Sequence, residues 1–540
     1  MIDNLKKDQL IRGFVLFLCL AALVVGLRAR SLWPPDEQRE AEIAREMAVG
    51  SSWIVPHLAG RPFVEKPPLY YWISAFSMKT LGRLTGPTAA ARTVSVLCAI
   101  LTLVVVFFTV KRYLGNRRAF EAVLVLASMV GFFDAAHKVL IDPLLMLLTT
   151  SSVLLLFVGL ESGKTLPLLS GYLIAGLAFL AKGFIGWALI GIPGIALGLL
   201  YFQTIRRNPF LHLAGLLLLL LPGLAWAAAF YSRGGELLWR EWFIDNQIGR
   251  FTGMSTHLGH IKGPFYYGEM LPLALLPWTP ALVAWIVHRG WRRWTEGSTG
   301  SRNLLRVVAV WSFGSLLFLS LAGTKRNIYL FPLLPAFAVM ASVYMEKPAL
   351  WLKAVLRGIT VLLLPGAIYL SFFSPASPAA KFPWGWNLNI FALISALAGI
   401  YIFRAARKII LVRLAGITAV VFLVYQFTIM PVIDMKKTYR PMVERLTAAI
   451  PEGERGWVLG WDTDERTLGS FAFYGGIYLS EIADPARLAS ILRGDDGECR
   501  LVITRKKYLP PAGADLPDYR VISRGEAEGR DYLLISGSAK

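Results

Sequence analysis

Between Arg28 and Pro68 the chain carries six acids and six bases: Asp36, Glu37, Glu40, Glu42, Glu46 and Glu65 against Arg28, Arg30, Arg39, Arg45, Arg61 and Lys66. Charge at that density directly after a long apolar run is costly unless the groups pair or bind something polar. Asp36 and Glu37 stand a few residues beyond that run. A solvated interfacial loop is the plain alternative for any one of them; the company they keep makes Asp36 the first candidate site residue. Glu65-Lys66-Pro67-Pro68 follows. Lys66 either snorkels to headgroups or, held by two prolines at a bilayer surface, meets a lipid phosphate as a compact point charge.

Further along, Asp142 lies in LIDPLLMLLTT, at the end of an apolar run. An acid there suggests function, and equally a helix N-terminal cap strengthened by the proline after it. Arg250, in EWFIDNQIGRF, is a phosphate-binding candidate or an interfacial arginine paired with Asp245. His257 and His260 are spaced i, i+3 without a nearby Cys or acid, which is a weak metal signal and reads first as two ordinary loop histidines. GTKRNIYLFPLLP sets Lys325, Arg326 and Tyr329 at the outer end of a span, where positive charge opposes the usual bias and calls for an anion to offset it.

The elements that must hold these residues are membrane helices. The 540 residues are 55% hydrophobic, 12% aromatic and only 17% charged, with a mean hydropathy of +0.54, outside the range of soluble domains. Apolar runs long enough to cross roughly 30 Å of hydrocarbon recur, and their continuity excludes a barrel's alternation. Thirteen spans are expected, near 13–29, 88–110, 119–137, 139–160, 166–181, 184–204, 211–231, 269–288, 304–322, 327–345, 351–373, 387–404 and 411–433. The first, after Lys6, Lys7 and Arg12, reads as an uncleaved span rather than a signal peptide.

The net charge of +21 is unevenly placed: residues 441–540 hold 13 bases and 16 acids, so the rest of the chain carries +24. The excess clusters in short loops around Lys111, Arg206, Arg292 and Arg407, as cytoplasmic loops require, and nucleic-acid binding is a poor explanation. With those loops inside, the N-terminus is cytoplasmic and residues 30–87, 232–268, 323–327, 374–386 and 434–540 lie outside. In the first outer loop the residues after Pro34-Pro35 form a short amphipathic helix expected on the membrane surface. The fold class is therefore all-α polytopic membrane protein, residues 1–434, followed by a small periplasmic α/β domain, residues 435–540, signalled by the short apolar runs GWVLGW and CRLVIT around LASILR. Three cysteines imply no disulfide framework. Neither G-x-x-x-x-G-K nor G-x-G-x-x-G after a strand occurs, so a nucleotide donor has no phosphate cradle.

The motifs W-P-P-D-E-x-x-x-A-E-I-A-R-E-M, W-I-V-P-H-L, E-K-P-P-x-x-Y-W and K-R-N-I-Y-x-x-P resemble the 4-amino-4-deoxy-L-arabinose lipid A transferases and the related dolichyl-phosphate-mannose protein mannosyltransferases. The resemblance implies a GT-C fold of about thirteen spans with a C-terminal periplasmic domain, in the bacterial inner membrane, and a polyprenyl-phosphate-linked sugar as donor. It implies that Asp36, with Glu37, matches the acid of the first-loop D-E motif and Asp142 a second outer-surface acid. Lys66 and Arg250 would bind the carrier phosphate with Tyr329 beside them, and Lys325, Arg326 and Glu40 would meet substrate. Glu65 and His260 correspond to positions that could hold a divalent ion, zinc or magnesium, although no cofactor is required. Glu40 departs from the family, which has an aromatic residue there, and leaves the sugar open.

With undecaprenyl phosphate as the leaving group, negative charge grows where Lys66 and Arg250 would stabilise it. A lipid A phosphate as acceptor is already ionised, so Asp36 would orient the donor, pair with the sugar's amino group or stabilise oxocarbenium character; for a hydroxyl acceptor it would be the base. A protein or another glycan as acceptor keeps the same chemistry. A lipid or sugar transporter would carry its charges at mid-membrane in symmetric halves, whereas here they gather at one surface. A non-catalytic lipid-binding scaffold is the remaining class.

Overall fold

The computed structural model describes residues 2–50, 52–249, 262–288, 297–345, 348–373, 397–404, 409–495, 501–509 and 517–537. The chain divides into two compact units. The first comprises residues 1–27, 64–70 and 92–429; the second comprises 28–63, 71–91 and 430–540.

The first unit is helical. Its opening helices are α1 (Ile2–Val24), which the second unit's α2 (Asp36–Val49) and α3 (Leu69–Thr85) follow in the chain, and then α4 (Pro87–Leu114), α5 (Asn116–Ala127), α6 (Val130–His137), α7 (Asp142–Ser162), α8 (Thr165–Lys182) and α9 (Phe184–Leu200). The long helix Pro209–Arg240 and the helices up to Ile410–Thr428 continue it. Among the described residues seven helices are long and apolar enough to cross a membrane, or nine if each of two bent pairs is one span. Of the thirteen expected spans, these nine leave out 13–29, 184–204, 351–373 and 387–404. Residues 119–137 break into α5 and α6 at 66°, and 269–288 break into Tyr266–Leu275 and Thr279–Val287 at 117°. α9 has 17 residues, and part of the stretch 387–404 lies outside the described residues.

α7 and α8 form a tight antiparallel hairpin. A Cβ on Gly159 would stand 2.7 Å from the Leu168 backbone and one on Gly171 2.9 Å from the Leu156 nitrogen, so small residues set how closely the two helices approach. Their lengths of 21 and 18 residues are nearly matched. The first residue of α7, Asp142, thus ends up beside the last residue of α8, Lys182.

The second unit contains a five-stranded sheet. Its strands are β3 (Leu459–Trp461), β4 (Ser480–Ile482), β5 (Leu501–Arg505), β6 (Tyr519–Ala527) and β7 (Arg530–Gly537), after a two-residue ladder β1 (His57–Leu58) and β2 (Arg61–Pro62). The order is β4-β3-β5-β7-β6, with β3 parallel to β4 and β5, and β7 antiparallel to β5 and β6. One face packs against the helix Arg440–Ala448 around Tyr439, Val443, Phe471 and Ile503; the other packs against Pro485–Arg493 around Leu488, Val502 and Ile535. The fold class read from the sequence is the fold observed: membrane helices plus a small α/β part near the C-terminus.

α2 corrects one expectation. It does not lie as a surface helix: 11 of its 14 residues are buried. Its many charges are tolerated inside because they are paired. Arg45 donates to both Glu42 oxygens at 2.6 and 2.7 Å, and Glu46 accepts from the Gly60 N–H at 3.1 Å. Burial pushes the Glu42 carboxyl up to about 8, with Arg45 opposing and the neighbouring Glu46 adding to the rise.

Candidate active site

In the helical unit a cavity of about 380 Å³ is lined by Glu65, Lys66, Lys182, Asn246, Gln247 and Tyr329 on its polar side. Phe184, Ile185, Ala188, Phe318 and Leu319 supply an apolar wall. An ammonium-bearing end joined to an apolar groove suits an amphiphile with an anionic head and a hydrocarbon tail.

Lys66 reaches this cavity on the short segment that precedes the start of α3, directly ahead of Pro67-Pro68. Its ammonium is 4.0 Å from the Glu65 carboxylate, and both side chains are largely buried. Lys182 arrives from the C-terminal end of α8, where the helix dipole favours a cation, and pairs with Asp142 at the start of α7, where the dipole favours an anion. The two side chains are 7% and 4% exposed, so each depends on the other for charge compensation. The ammonium of Lys182 also lies 4.4 Å from the centre of the Tyr329 ring, a cation–π contact that fixes both groups.

Gly183 makes the geometry possible. Its φ is +67°, and a Cβ there would stand 2.1 Å from Oε1 of Gln247. The left-handed residue ends α8 immediately after Lys182 and lets α9 begin. The Gln247 amide oxygen in turn accepts from the Phe184 N–H at 3.4 Å, tying the π-helical segment Glu241–Gly249 to the cavity rim.

The expected residues therefore fall into groups. Lys66, Tyr329 and Glu65 line the cavity, and Asp142 is bonded to Lys182, which lines it. Lys325 and Arg326 do not line it. Lys325 is buried and donates to the carbonyls of Lys262 at 3.0 Å and Ala322 at 2.5 Å, which makes it a brace for its own loop. Arg250 and His260 lie outside the described residues.

Asp36, Glu37 and Glu40 belong to α2 in the other unit. Asp36 accepts from Arg39 at 3.2 Å, and the same guanidinium is 3.5 Å from Glu40 and 2.8 Å from Glu465. Glu40 accepts from the Tyr71 hydroxyl at 2.7 Å, and Glu37 accepts from Arg30 and from the Trp33 N–H. Glu37 and Glu40 thus hold the N-terminal half of α2 in place, while Asp36 sits at its first turn under the positive end of the helix.

The resemblance names Glu65 and His260 as positions that could hold a divalent ion, and His260 lies outside the described residues. Among the described residues no group of three His, Cys, Asp or Glu could hold a metal ion, and the ammonium beside Glu65 opposes a cation there.

Sequence reasoning missed Lys182 and Arg39. Lys182 had a signal, a lone lysine in the apolar run LAFLAKGFIGWALIG, which by default suggests function. Arg39 stood in the charged cluster with Asp36 and Glu40 beside it, but its third partner, Glu465, is brought to it only by the tertiary fold.

Residues 65–226 match the family described as dolichyl-phosphate-mannose-protein mannosyltransferase. An undecaprenyl phosphate-alpha-4-amino-4-deoxy-L-arabinose arabinosyl transferase from Serratia proteamaculans is 32% identical over 340 residues, 61% of this chain and 58% of that protein. One of the same description from Pseudomonas aeruginosa is 28% identical over 368 residues, 65% of this chain and 64% of that protein. The chain thus spans about three fifths of the length of these relatives. Among solved structures, ArnT from Cupriavidus metallidurans bound to undecaprenyl phosphate superposes with a TM-score of 0.74 at 19% identity, covering 97% of each chain. Its apo state gives 0.74 at 20% identity. Likeness at that identity shows a shared fold.

Proposed function

We propose that this chain, similar in sequence and fold to the undecaprenyl phosphate-aminoarabinose arabinosyl transferases, is itself a polyprenyl-phosphate-dependent glycosyltransferase of the bacterial inner membrane. It moves 4-amino-4-deoxy-L-arabinose from undecaprenyl phosphate to lipid A on the periplasmic face. The observation that carries this reading is the cavity where Lys66 and Lys182 stand beside an apolar wall. Both ends of a prenyl phosphate find their complement there.

In this reading the phosphate of the donor takes the place near Lys66 and Lys182, and the prenyl chain follows Phe184, Ile185 and Phe318. As the sugar–phosphate bond breaks, charge grows on the departing phosphate. Preorganised ammonium groups in a partly dry site stabilise it more than they stabilise the ground state. Asp142 orients Lys182. Arg250 is assigned to the same phosphate on the motif resemblance. Asp36 is assigned to the sugar on the same ground: it orients the ring or stabilises oxocarbenium character, since an ionised lipid A phosphate needs no base. Residues 1–434 form the membrane part and 435–540 a periplasmic domain. Lipid A from cells with and without the gene should differ by one aminopentose; identical mass profiles would refute the acceptor and sugar assignments together.

The match of residues 65–226 to protein mannosyltransferases favours one second reading, a protein acceptor. Unchanged lipid A together with a newly glycosylated envelope protein would select it.

A further inference from the structure

Three consecutive backbone N–H groups ahead of Asp36 are taken up by side chains. Ser31 donates to both carboxylate oxygens of Asp434 at 3.1 and 3.2 Å, Leu32 to the Tyr474 hydroxyl at 2.8 Å, and Trp33 to Glu37 at 2.8 Å. Asp434 also receives the Ser31 hydroxyl at 2.6 Å and the Trp33 indole N–H at 2.8 Å. Two cations stand against the Trp33 ring, Arg30 at 4.3 Å and Lys437 at 4.7 Å from its centre. Buried backbone donors outside helix or sheet must find acceptors. Here two of the three acceptors come from more than 400 residues away, so the shape of residues 31–33 is set by the tertiary fold rather than by local sequence.

We infer that Asp434 and Tyr474 are positioning residues for Asp36. The inference rests on the reading of Asp36 as a site residue. Trp33 connects through Pro34-Pro35 to the first residue of α2, and two prolines leave that link few conformations. Whatever fixes Trp33 therefore fixes the direction in which the first turn of α2 presents the Asp36 carboxylate. The other half of α2 has its own anchors, Arg45 on the Tyr478 hydroxyl at 3.1 Å and the Gly60 N–H on Glu46. Losing the clamp leaves the helix docked through Glu40 on Tyr71 and Arg39 on Glu465, and removes the tie that sets the segment leading into Asp36. The segment after residue 429 gains a role by this: it completes the loop that orients a carboxylate near the other end of the chain.

The test uses the full-length protein in lipid nanodiscs, with rates of sugar transfer from undecaprenyl phosphate-linked aminoarabinose and unfolding midpoints measured together. Asp434→Ala should lower kcat by about 10²-fold, the scale of a 1 Å misplacement, with KM for the donor unchanged and the midpoint lowered but still above the assay temperature, because Ser31 and Trp33 lose their acceptor. Asp434→Asn keeps an acceptor oxygen and should recover most of the rate. Tyr474→Phe loses one acceptor and should show a smaller drop of the same kind, and it decides the question if Asp434→Ala fails to fold. Asp36→Ala with Asp434→Ala should be no slower than Asp36→Ala alone; if both fall below detection, the Asn recovery and the unchanged KM decide. Asp434→Ala and Tyr474→Phe at the wild-type kcat, or an Asp434→Ala loss of equal size with and without Asp36, would overturn the positioning role and leave the transferase reading intact. Full activity in Asp36→Ala would overturn the site assignment itself, and the inference with it.

Discussion

Lys182 and Asp142, 40 residues apart on the two arms of the α7–α8 hairpin, meet as an ion pair sealed inside the helical unit and set against the Tyr329 ring. Helix dipoles of opposite sense converge on the same point. The pair does two things: it compensates two buried charges, and it points an ammonium into the cavity.

Those two roles separate by mutation. Lys182→Met strands the Asp142 carboxylate and should cost about 3–5 kcal/mol of stability. Adding Asp142→Leu should restore much of that stability in thermal unfolding, while sugar transfer stays lost. Restored transfer in the double variant would remove Lys182 from the phosphate site.

Lys66 is assigned to the departing phosphate and is not part of a buried ion pair as tight as that of Lys182. Lys66→Ala should leave the unfolding midpoint near wild type and lower kcat by about 10²–10³-fold, as loss of one preorganised donor does. Steady-state transfer kinetics check it. Lys66→Arg should recover only part of the rate, because a planar fork does not reproduce a point charge.

Gly183→Ala should be more disruptive than an ordinary glycine change. The backbone is left-handed at φ +67°, and the new Cβ would press on the Gln247 amide. With ψ at −147° this is a backbone region that is essentially glycine's, and the strain alone is about 1–3 kcal/mol. A drop in midpoint with loss of donor binding is expected; Gly191→Ala, where a Cβ meets nothing within 4 Å, is the control.

Glu42 gives the second unit a pH dependence. Its carboxyl titrates near 8 in the folded protein and near 4.3 unfolded. Between those values the folded state holds a proton that the unfolded chain has released, so stability falls as pH rises from about 5 to 8 and levels off above. Unfolding midpoints of the wild type should decline over that window, and Glu42→Gln should flatten the decline.

Much of this was legible in the sequence, and the reasons differ by element. Apolar runs dictate membrane helices because hydrocarbon admits little else, so the helical unit and the change of character after residue 435 could both be read. Lys66 and Tyr329 were found because charged and aromatic residues at an outer surface stand out against oil. The bent pairs α5–α6 and Tyr266–Leu275 with Thr279–Val287 were read as single spans, since hydropathy measures composition and not direction. α2 looked like a surface helix because its charges are visible in the sequence, while Tyr71 and Glu465, which bond to Glu40 and Arg39, are far away in it. The Asp434 clamp was illegible for the same reason.

The most direct measurement combines the purified chain in nanodiscs with undecaprenyl phosphate-linked aminoarabinose and lipid A, followed by mass spectrometry of both lipids. The account predicts lipid A heavier by one aminopentose and free undecaprenyl phosphate in equal amount, both abolished by Lys66→Ala. An intact donor and unmodified lipid A in the presence of folded, donor-binding protein would contradict it.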